Sequence, residues 1–145
     1  MGLDVPNRLP DVVRDVLANA DRFELLSLNP DGGPTREPGH FWGWGVLGSA
    51  TVETPGTRDE VVVALERGIA ENEGWVAACF DPRHGIRASR EGATVELVVC
   101  FECAQVYIYP NGKWAGSVLI TGSPEPVFDR ILSAAGVQLA PKRDE

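Results

Sequence analysis

Between residues 85 and 120 the chain alternates short apolar segments with turn residues, and this alternation constrains its fold more than any other feature. GIRAS, TVELVVCF and AQVYIY have the composition of successive strands, and REGA joins the first two. NGK at residues 111–113 leads to another strand in WAGSVLI. Because Asn and Gly tolerate the positive φ of tight hairpin turns, these strands are predicted to run antiparallel.

Earlier segments extend this sheet. FELLSLNP is predicted to be a short strand that ends at Asn29 and Pro30, and WVAACF is predicted to be another. HFWGWGVLGSATVE is strand-like but contains three glycines, which predicts a bulged or strongly twisted strand.

Three segments have the apolar spacing of helices. The first covers residues 10–20, and the second covers residues 58–72 with a capping box of Thr57 and Glu60. The third lies in SPEPVFDRILSAAG, with Ser123 as N-cap and Pro124 at the first helical position. The order of elements predicts one α+β domain over residues 1–145, in which three helices pack on one face of a mainly antiparallel sheet of about six strands.

The charge of the chain excludes some classes of partner. Its net charge is -8, from 21 acidic and 13 basic residues, so its surface repels phosphate backbones and attracts basic proteins. We therefore expect no nucleic-acid partner. Apolar runs such as VELVVCF are too short to cross a bilayer, and the N-terminus lacks a basic region followed by an apolar one, so we expect a cytoplasmic protein without a membrane partner.

The three cysteines and one of the two histidines lie within residues 79–103. Cys79 and His84 are spaced C-x4-H, and Cys100 and Cys103 are spaced C-x2-C. Two close pairs separated by a hairpin suit a tetrahedral zinc ion with three thiolate ligands and one imidazole. This pattern predicts a zinc site, provided that CFEC forms a turn in which both sulfurs converge.

Other interpretations of the cysteines remain open. A continuous strand through CFEC would direct Cys100 and Cys103 to opposite faces as ordinary core thiols. A dithiol redox motif is less favoured because its flanks are strand-like rather than helical. An enzyme that uses Cys or His as its reactive group is a further alternative, although no oxyanion turn accompanies these residues. With no secretion signal predicted, free or metal-bound thiols are expected rather than disulfides.

DPRHGIR is predicted to form a rigid turn, because Pro82 fixes its φ and Gly85 permits a positive φ. Such a turn can present Arg83, His84 and Arg87 to an anion or a carboxylate, so these three are candidate ligand-binding residues. The alternative is that His84 bonds to backbone carbonyls while Arg83 pairs with surface acids.

Aromatic residues offer a second candidate surface. Trp42 and Trp44 would share one face of a strand and stack on a sugar ring or on a side chain of a partner. The default expectation is that all four tryptophans, including Trp75 and Trp114, belong to the core. Tyr107 and Tyr109 share a face of their strand, which predicts a partly exposed apolar patch.

The segments CFDPRHGIR and VVCFECAQVYIY, together with SPEPVFDRILSAAGVQLAP, resemble a family of small uncharacterised bacterial proteins that carry CF.PRHGI and CFEC segments. The resemblance runs from about residue 23 to residue 142. It implies a bacterial origin but no activity and no catalytic residues. Where that family often reads FHGW, this chain reads HFWGW, so His40 and Trp42 acquire no role from it.

These observations predict a small acidic binding or structural domain that is stabilised by zinc and recognises a protein or a small molecule. An immunity-type inhibitor that covers a basic protein fits the same size and charge. The Cys or His enzyme is the alternative from a different class, and we favour the binding domain over it.

Overall fold

The structure is a computed structural model that describes residues 7–31, 33–77 and 80–141. The described elements are α1 (Asp11–Ala18), β1 (Arg22–Asn29), β2 (Gly45–Thr51), α2 (Pro55–Glu71), β3 (His84–Arg90), β4 (Ala93–Cys100), β5 (Gln105–Pro110), β6 (Ser117–Leu119) and α3 (Glu125–Ala134). The six strands form one sheet in the order β2-β1-β3-β4-β5-β6, and every neighbouring pair is antiparallel. The predicted α+β class is confirmed.

The main core lies between the three helices and one face of the sheet. Alternate residues of the central strands point toward the helices, including Leu25 of β1, Ile86 of β3 and Leu97 of β4, which are all fully buried. Phe128 and Leu132 of α3 belong to the same cluster and are also fully buried. The helices therefore cover only one sheet face, as predicted.

Two tight turns set the register of the later strands. Glu91 and Gly92 have φ angles of 49° and 88° between β3 and β4, and Asn111 and Gly112 have φ angles of 49° and 77° after β5. Paired positive φ angles match the twist of a two-residue hairpin turn. The predicted turn at NGK is confirmed.

The start of α2 differs from its prediction. The helix begins at Pro55, three residues early, and its N-cap is Thr54, whose side chain accepts a hydrogen bond from the Thr57 backbone N–H. Proline is favoured at the first helical position because its missing N–H has no helical partner there. The prediction of a capping box at Thr57 and Glu60 was therefore wrong.

Two further predictions, one of a helix start and one of a strand, were also wrong. Pro124 rather than Ser123 is the N-cap of α3. Residues 75–77 and residue 80 of WVAACF are not in a strand, and Cys79 lies outside the described residues. An apolar run of this length does not distinguish a strand from a buried connection.

CFEC forms a turn rather than a continuous strand, as the zinc hypothesis required. β4 ends at Cys100, β5 begins at Gln105, and Ala104 takes a φ of 62° as the chain reverses. Cys100 and Cys103 are joined by a disulfide and are almost completely buried. The expectation that both would be free or metal-bound thiols is wrong for this structure, because the turn brings the two sulfurs within bonding distance.

Candidate functional site

The sheet face opposite the helices carries a second apolar cluster. Its buried members are Leu26, Leu28 and Val98 on the strands and Phe41 and Trp44 in the loop between β1 and β2. Unlike the main core, this cluster is covered by loop residues and not by a helix. Side chains at its edge therefore reach the protein surface.

Five aromatic residues at that edge form a continuous group, which we call the aromatic platform: Trp42, Phe80, Tyr107, Tyr109 and Trp114. Trp42 stacks on Tyr109 and Phe80 stacks on Tyr107, each with ring centroids 3.8 Å apart. Trp114 contacts both tyrosines edge-on at 5.1 and 5.6 Å and is 57% exposed. The platform therefore presents a rigid aromatic surface that is partly open to solvent, with Trp114 as its exposed ring and the other four rings half-buried.

Trp42 is held in a backbone conformation that bulky residues rarely adopt. Trp42 and Gly43 have φ angles of 50° and 93°, and Phe41 and Trp44 exchange backbone hydrogen bonds on either side of them. This is a two-residue turn whose first position favours Asn, Asp or Gly. A tryptophan there is strained, and such strain concentrates at functional sites.

Replacing Trp42 by Gly is expected to give a more stable protein than replacing it by Ala, by about 1 kcal/mol. Both changes remove the ring, but only glycine adopts the positive φ without a steric penalty. Urea unfolding of the two variants measures this difference. Equal stabilities would show that the backbone of Trp42 is not strained.

A row of charged side chains borders the platform on the same sheet face. Glu96 accepts a hydrogen bond from the Trp42 indole N–H at 3.0 Å and another from Arg87 Nε at 2.8 Å. Arg87 also pairs with Glu24 at 3.4 Å. Burial lowers the pKa of Arg87, but its hydrogen bond to Glu96 and the charges of Glu96 and Glu24 outweigh that effect and raise it. Two carboxylates against one guanidinium leave this border negative.

The same environment affects Tyr109, because burial raises the pKa of its phenol and the neighbouring Tyr107 raises it further. The phenol is therefore neutral at physiological pH and contributes an uncharged aromatic ring to the platform.

The structure does not assemble the four predicted zinc ligands. His84 pairs with Val99 across β3 and β4, so its side chain shares the helix-covered face with Val99, whereas the next residue, Cys100, points to the other face. Disulfide-bonded Cys100 and Cys103 offer no thiolate, and Cys79 lies outside the described residues. The zinc site stays a prediction that requires reduced cysteines and a different position of His84.

His84 instead belongs to a polar group beneath α3. Its Nε2 lies 2.7 Å from Asp129 Oδ1, while its Nδ1 is buried and has no hydrogen-bond partner. His84, Glu125 and Asp129 each place one potential ligand atom within 4.8 Å of the other two, and among the described residues this is the set able to hold a metal ion. Its small cavity, of about 30 Å³, is lined partly by Arg83.

The three predicted anion ligands do not converge. His84 starts β3, so DPRHGIR is not the rigid turn that was predicted. Arg83 is 6% exposed and bonds to Glu102 at 2.7 Å and to the Pro141 carbonyl at 3.0 Å. His84 contacts α3 whereas Arg87 lies over the Phe41 ring on the opposite sheet face, because residues three apart in a strand point to opposite faces.

Sequence reasoning identified only part of the platform. Tyr107 and Tyr109 are half-buried, as expected of a partly exposed patch, and Trp44 is buried as expected. Trp42 and Trp44 do not share a strand face, because Trp42 occupies a turn. Trp75 and Trp114 are 63% and 57% exposed, so assigning them to the core was wrong. The position of Trp114 just after the NGK turn was the available signal.

Comparison of the chain with protein-family models, with curated proteins and with solved structures finds no match. The resemblance to the bacterial family with CF.PRHGI and CFEC segments therefore stays a prediction. Among the described helices, none combines the length and the apolar character needed to cross a bilayer.

Proposed function

We propose that this chain is a small acidic binding domain whose aromatic platform receives a basic protein partner. The observation that carries the proposal is the exposed, stacked group around Trp42, in which an unfavourable backbone conformation holds a large ring at the surface. Binding hot spots are enriched in Trp and Tyr, because such rings bury large areas at low entropic cost.

The charge of the partner follows from that of the chain. A net charge of -8 attracts a basic partner over long range, and the border of Glu24, Arg87 and Glu96 adds local negative charge. Lysine and arginine side chains of the partner would then lie over the aromatic faces as cation–π contacts. A groove of about 530 Å³ beside Trp42 offers space for a partner side chain.

An immunity-type inhibitor, which covers a basic protein, is one form that this function would take. The enzyme alternative has less support from the described residues, because Cys100, Cys103 and His84 are all buried at 3% exposure or less, while Cys79 lies outside those residues. Groups so enclosed do not reach a substrate at the surface. The platform, in contrast, is accessible without rearrangement.

Replacing Trp114 by Ala is expected to weaken binding of an arginine- and lysine-rich peptide by about tenfold, as for a hot-spot residue that loses about 1.4 kcal/mol. Calorimetric titration measures the affinity, and an acidic peptide of equal length tests the role of charge. Higher salt should weaken binding further, since the attraction is partly electrostatic.

Trp75 is the matched control, because it is similarly exposed at 63% and has no ring contact with the platform among the described residues. Replacing Trp75 by Ala should change the affinity less than twofold, as expected of a residue outside the hot spot. Equal losses for both variants, or no binding of the basic peptide, would contradict the proposal. Binding of a neutral oligosaccharide to the same rings would instead indicate a carbohydrate ligand.

A further inference from the structure

We infer that the Cys100–Cys103 disulfide controls the aromatic platform through Phe80. This inference concerns regulation of the site and rests on the proposed binding function for its biological meaning. Reduction of the disulfide releases the segment that places Phe80 against Tyr107. The release of this segment can be measured without any partner.

The first connection is direct contact between the disulfide and the residue after Phe80. The backbone N–H of Asp81 donates a hydrogen bond to Cys103 Sγ at 3.2 Å, and the Asp81 carbonyl oxygen lies 3.4 Å from Cys100 Sγ. Asp81 is thus placed against both sulfurs. Phe80, its immediate neighbour, stacks on Tyr107 with centroids 3.8 Å apart.

Two further contacts attach the same part of the chain to the CFEC turn. Ala77 donates its backbone N–H to the Cys103 carbonyl at 3.0 Å. The guanidinium of Arg83 pairs with Glu102 at 2.7 Å, inside the turn. Contacts to Cys103 and Glu102 therefore flank Phe80 on both sides, so a movement of the turn is transmitted to the platform.

A bridge between residues three apart restricts little of the unfolded chain, so it adds little to global stability compared with a bridge that closes a long loop. Its main effect is local, since it fixes the shape of one four-residue turn. Both sulfurs are almost completely buried, so a reductant reaches them only when the turn opens.

The reduction needs a dithiol. One of its thiolates attacks the sulfur of Cys100 or Cys103, which breaks the Cys100–Cys103 bond, forms a mixed disulfide and releases the other cysteine as a thiolate. The second sulfur of the dithiol, as a thiolate, then attacks its own partner sulfur in the mixed disulfide and releases the first cysteine. The dithiol is oxidised to a disulfide, two electrons pass to the protein, and Cys100 and Cys103 each end with one proton. The two sulfurs then separate from bonding distance to van der Waals contact, which removes the fixed position of the Asp81 hydrogen bond.

Hydrogen exchange of the backbone amides tests the connection directly. Protein carrying Cys79→Ser, which prevents disulfide exchange with the third thiol, is compared in its oxidised form and after reduction by dithiothreitol in the presence of a chelator. We expect faster exchange at Asp81 and a weaker near-ultraviolet circular dichroism signal from the aromatic rings after reduction. A Cys100→Ser, Cys103→Ser variant should behave like the reduced protein.

Affinity for the arginine- and lysine-rich peptide gives the functional readout. Reduction should weaken it about two- to tenfold, the range expected for loss of one stacked aromatic pair. In a Phe80→Ala variant, reduction should have no further effect, because the residue that transmits the change is absent.

Unchanged exchange at Asp81 and unchanged circular dichroism on reduction would overturn the inference, whatever the peptide does. Absence of peptide binding in both states, together with redox-dependent exchange, would leave the coupling in place and contradict only the proposed partner class. A reduction effect of the same size in Phe80→Ala would show that the disulfide acts through another route and would overturn the role of Phe80.

Discussion

Replacing Phe41 by Ala is expected to destabilise the domain by about 3–5 kcal/mol, the range for removing a buried phenylalanine. Phe41 is 2% exposed and supports the platform from beneath, because it forms the base of the turn that carries Trp42. Urea unfolding measures the loss of stability. The near-ultraviolet circular dichroism of the folded variant should also weaken as Trp42 loses its fixed position.

Gly85 provides an internal control for this prediction. A Cβ at Gly85 would lie 2.8 Å from Cε2 of Phe41, so the ring packs directly on the glycine backbone. Gly85→Ala alone should cost about 1–3 kcal/mol through overpacking. In the double variant the new methyl group enters the space that Phe41 vacates. The double variant should therefore lose less stability than the sum of the losses of the two single variants. Strict additivity would show that the two residues are not in contact.

A surface control separates this packing effect from a general sensitivity of the loop and strands around Phe41. Val46 lies in the neighbouring strand β2 and is 39% exposed. Val46→Ala should change the stability by less than about 0.5 kcal/mol, as expected of a surface site. A loss comparable to that of Phe41→Ala would assign the effect to the strand and not to the buried ring.

The fold was predictable from local signals because those signals agreed with one another. The NGK and REGA turns fix antiparallel neighbours, and the apolar spacing around Val61 and Leu65 gives a helix with one buried face. Boundaries were less predictable, since Pro55 starts α2 earlier than the capping pattern at Thr57 suggested. The two N-cap candidates, Thr54 and Thr57, lie three residues apart, and the proline after Thr54 favours the earlier one.

The candidate site was only partly predictable, because it depends on contacts between residues far apart in sequence. Trp42, Phe80 and Trp114 come from three loops, and no spacing rule relates them. The zinc hypothesis required a turn at CFEC, and the turn is present. His84 and Cys100 point to opposite faces of the sheet because His84 pairs with Val99, the residue before Cys100. Apolar periodicity within each strand does not reveal this pairing, which depends on the register of β3 against β4.

Removing the Asp129 carboxylate by Asp129→Ala is expected to cost about 3 kcal/mol, because it leaves a buried imidazole without a partner. His84 is 3% exposed, its Nδ1 is already unpartnered, and its Nε2 bonds only to Asp129 among the described residues. This contact also joins the start of β3 to α3, two elements far apart in sequence. Thermal and urea unfolding measure the loss.

Asp129→Asn separates hydrogen bonding from charge. Oδ1 of Asp129 lies at hydrogen-bond distance from Nε2 of His84, and the amide oxygen of Asn can accept a hydrogen bond from Nε2 in the same place. Asp129→Asn should therefore recover most of the stability that the Ala variant loses, and a loss as large as that of Asp129→Ala would show that the hydrogen bond is not what stabilises this contact.

Glu125→Gln is the matched control, since Glu125 lies in the same group but makes no described hydrogen bond to His84. It should change the stability by less than about 0.5 kcal/mol. Below their unfolding temperatures, the Asp129 variants should bind the basic peptide as the original protein does, because His84 and the platform lie on opposite faces of the sheet. A loss of peptide affinity in Asp129→Ala would show that the two faces are coupled and that the platform does not act independently of the core beneath α3.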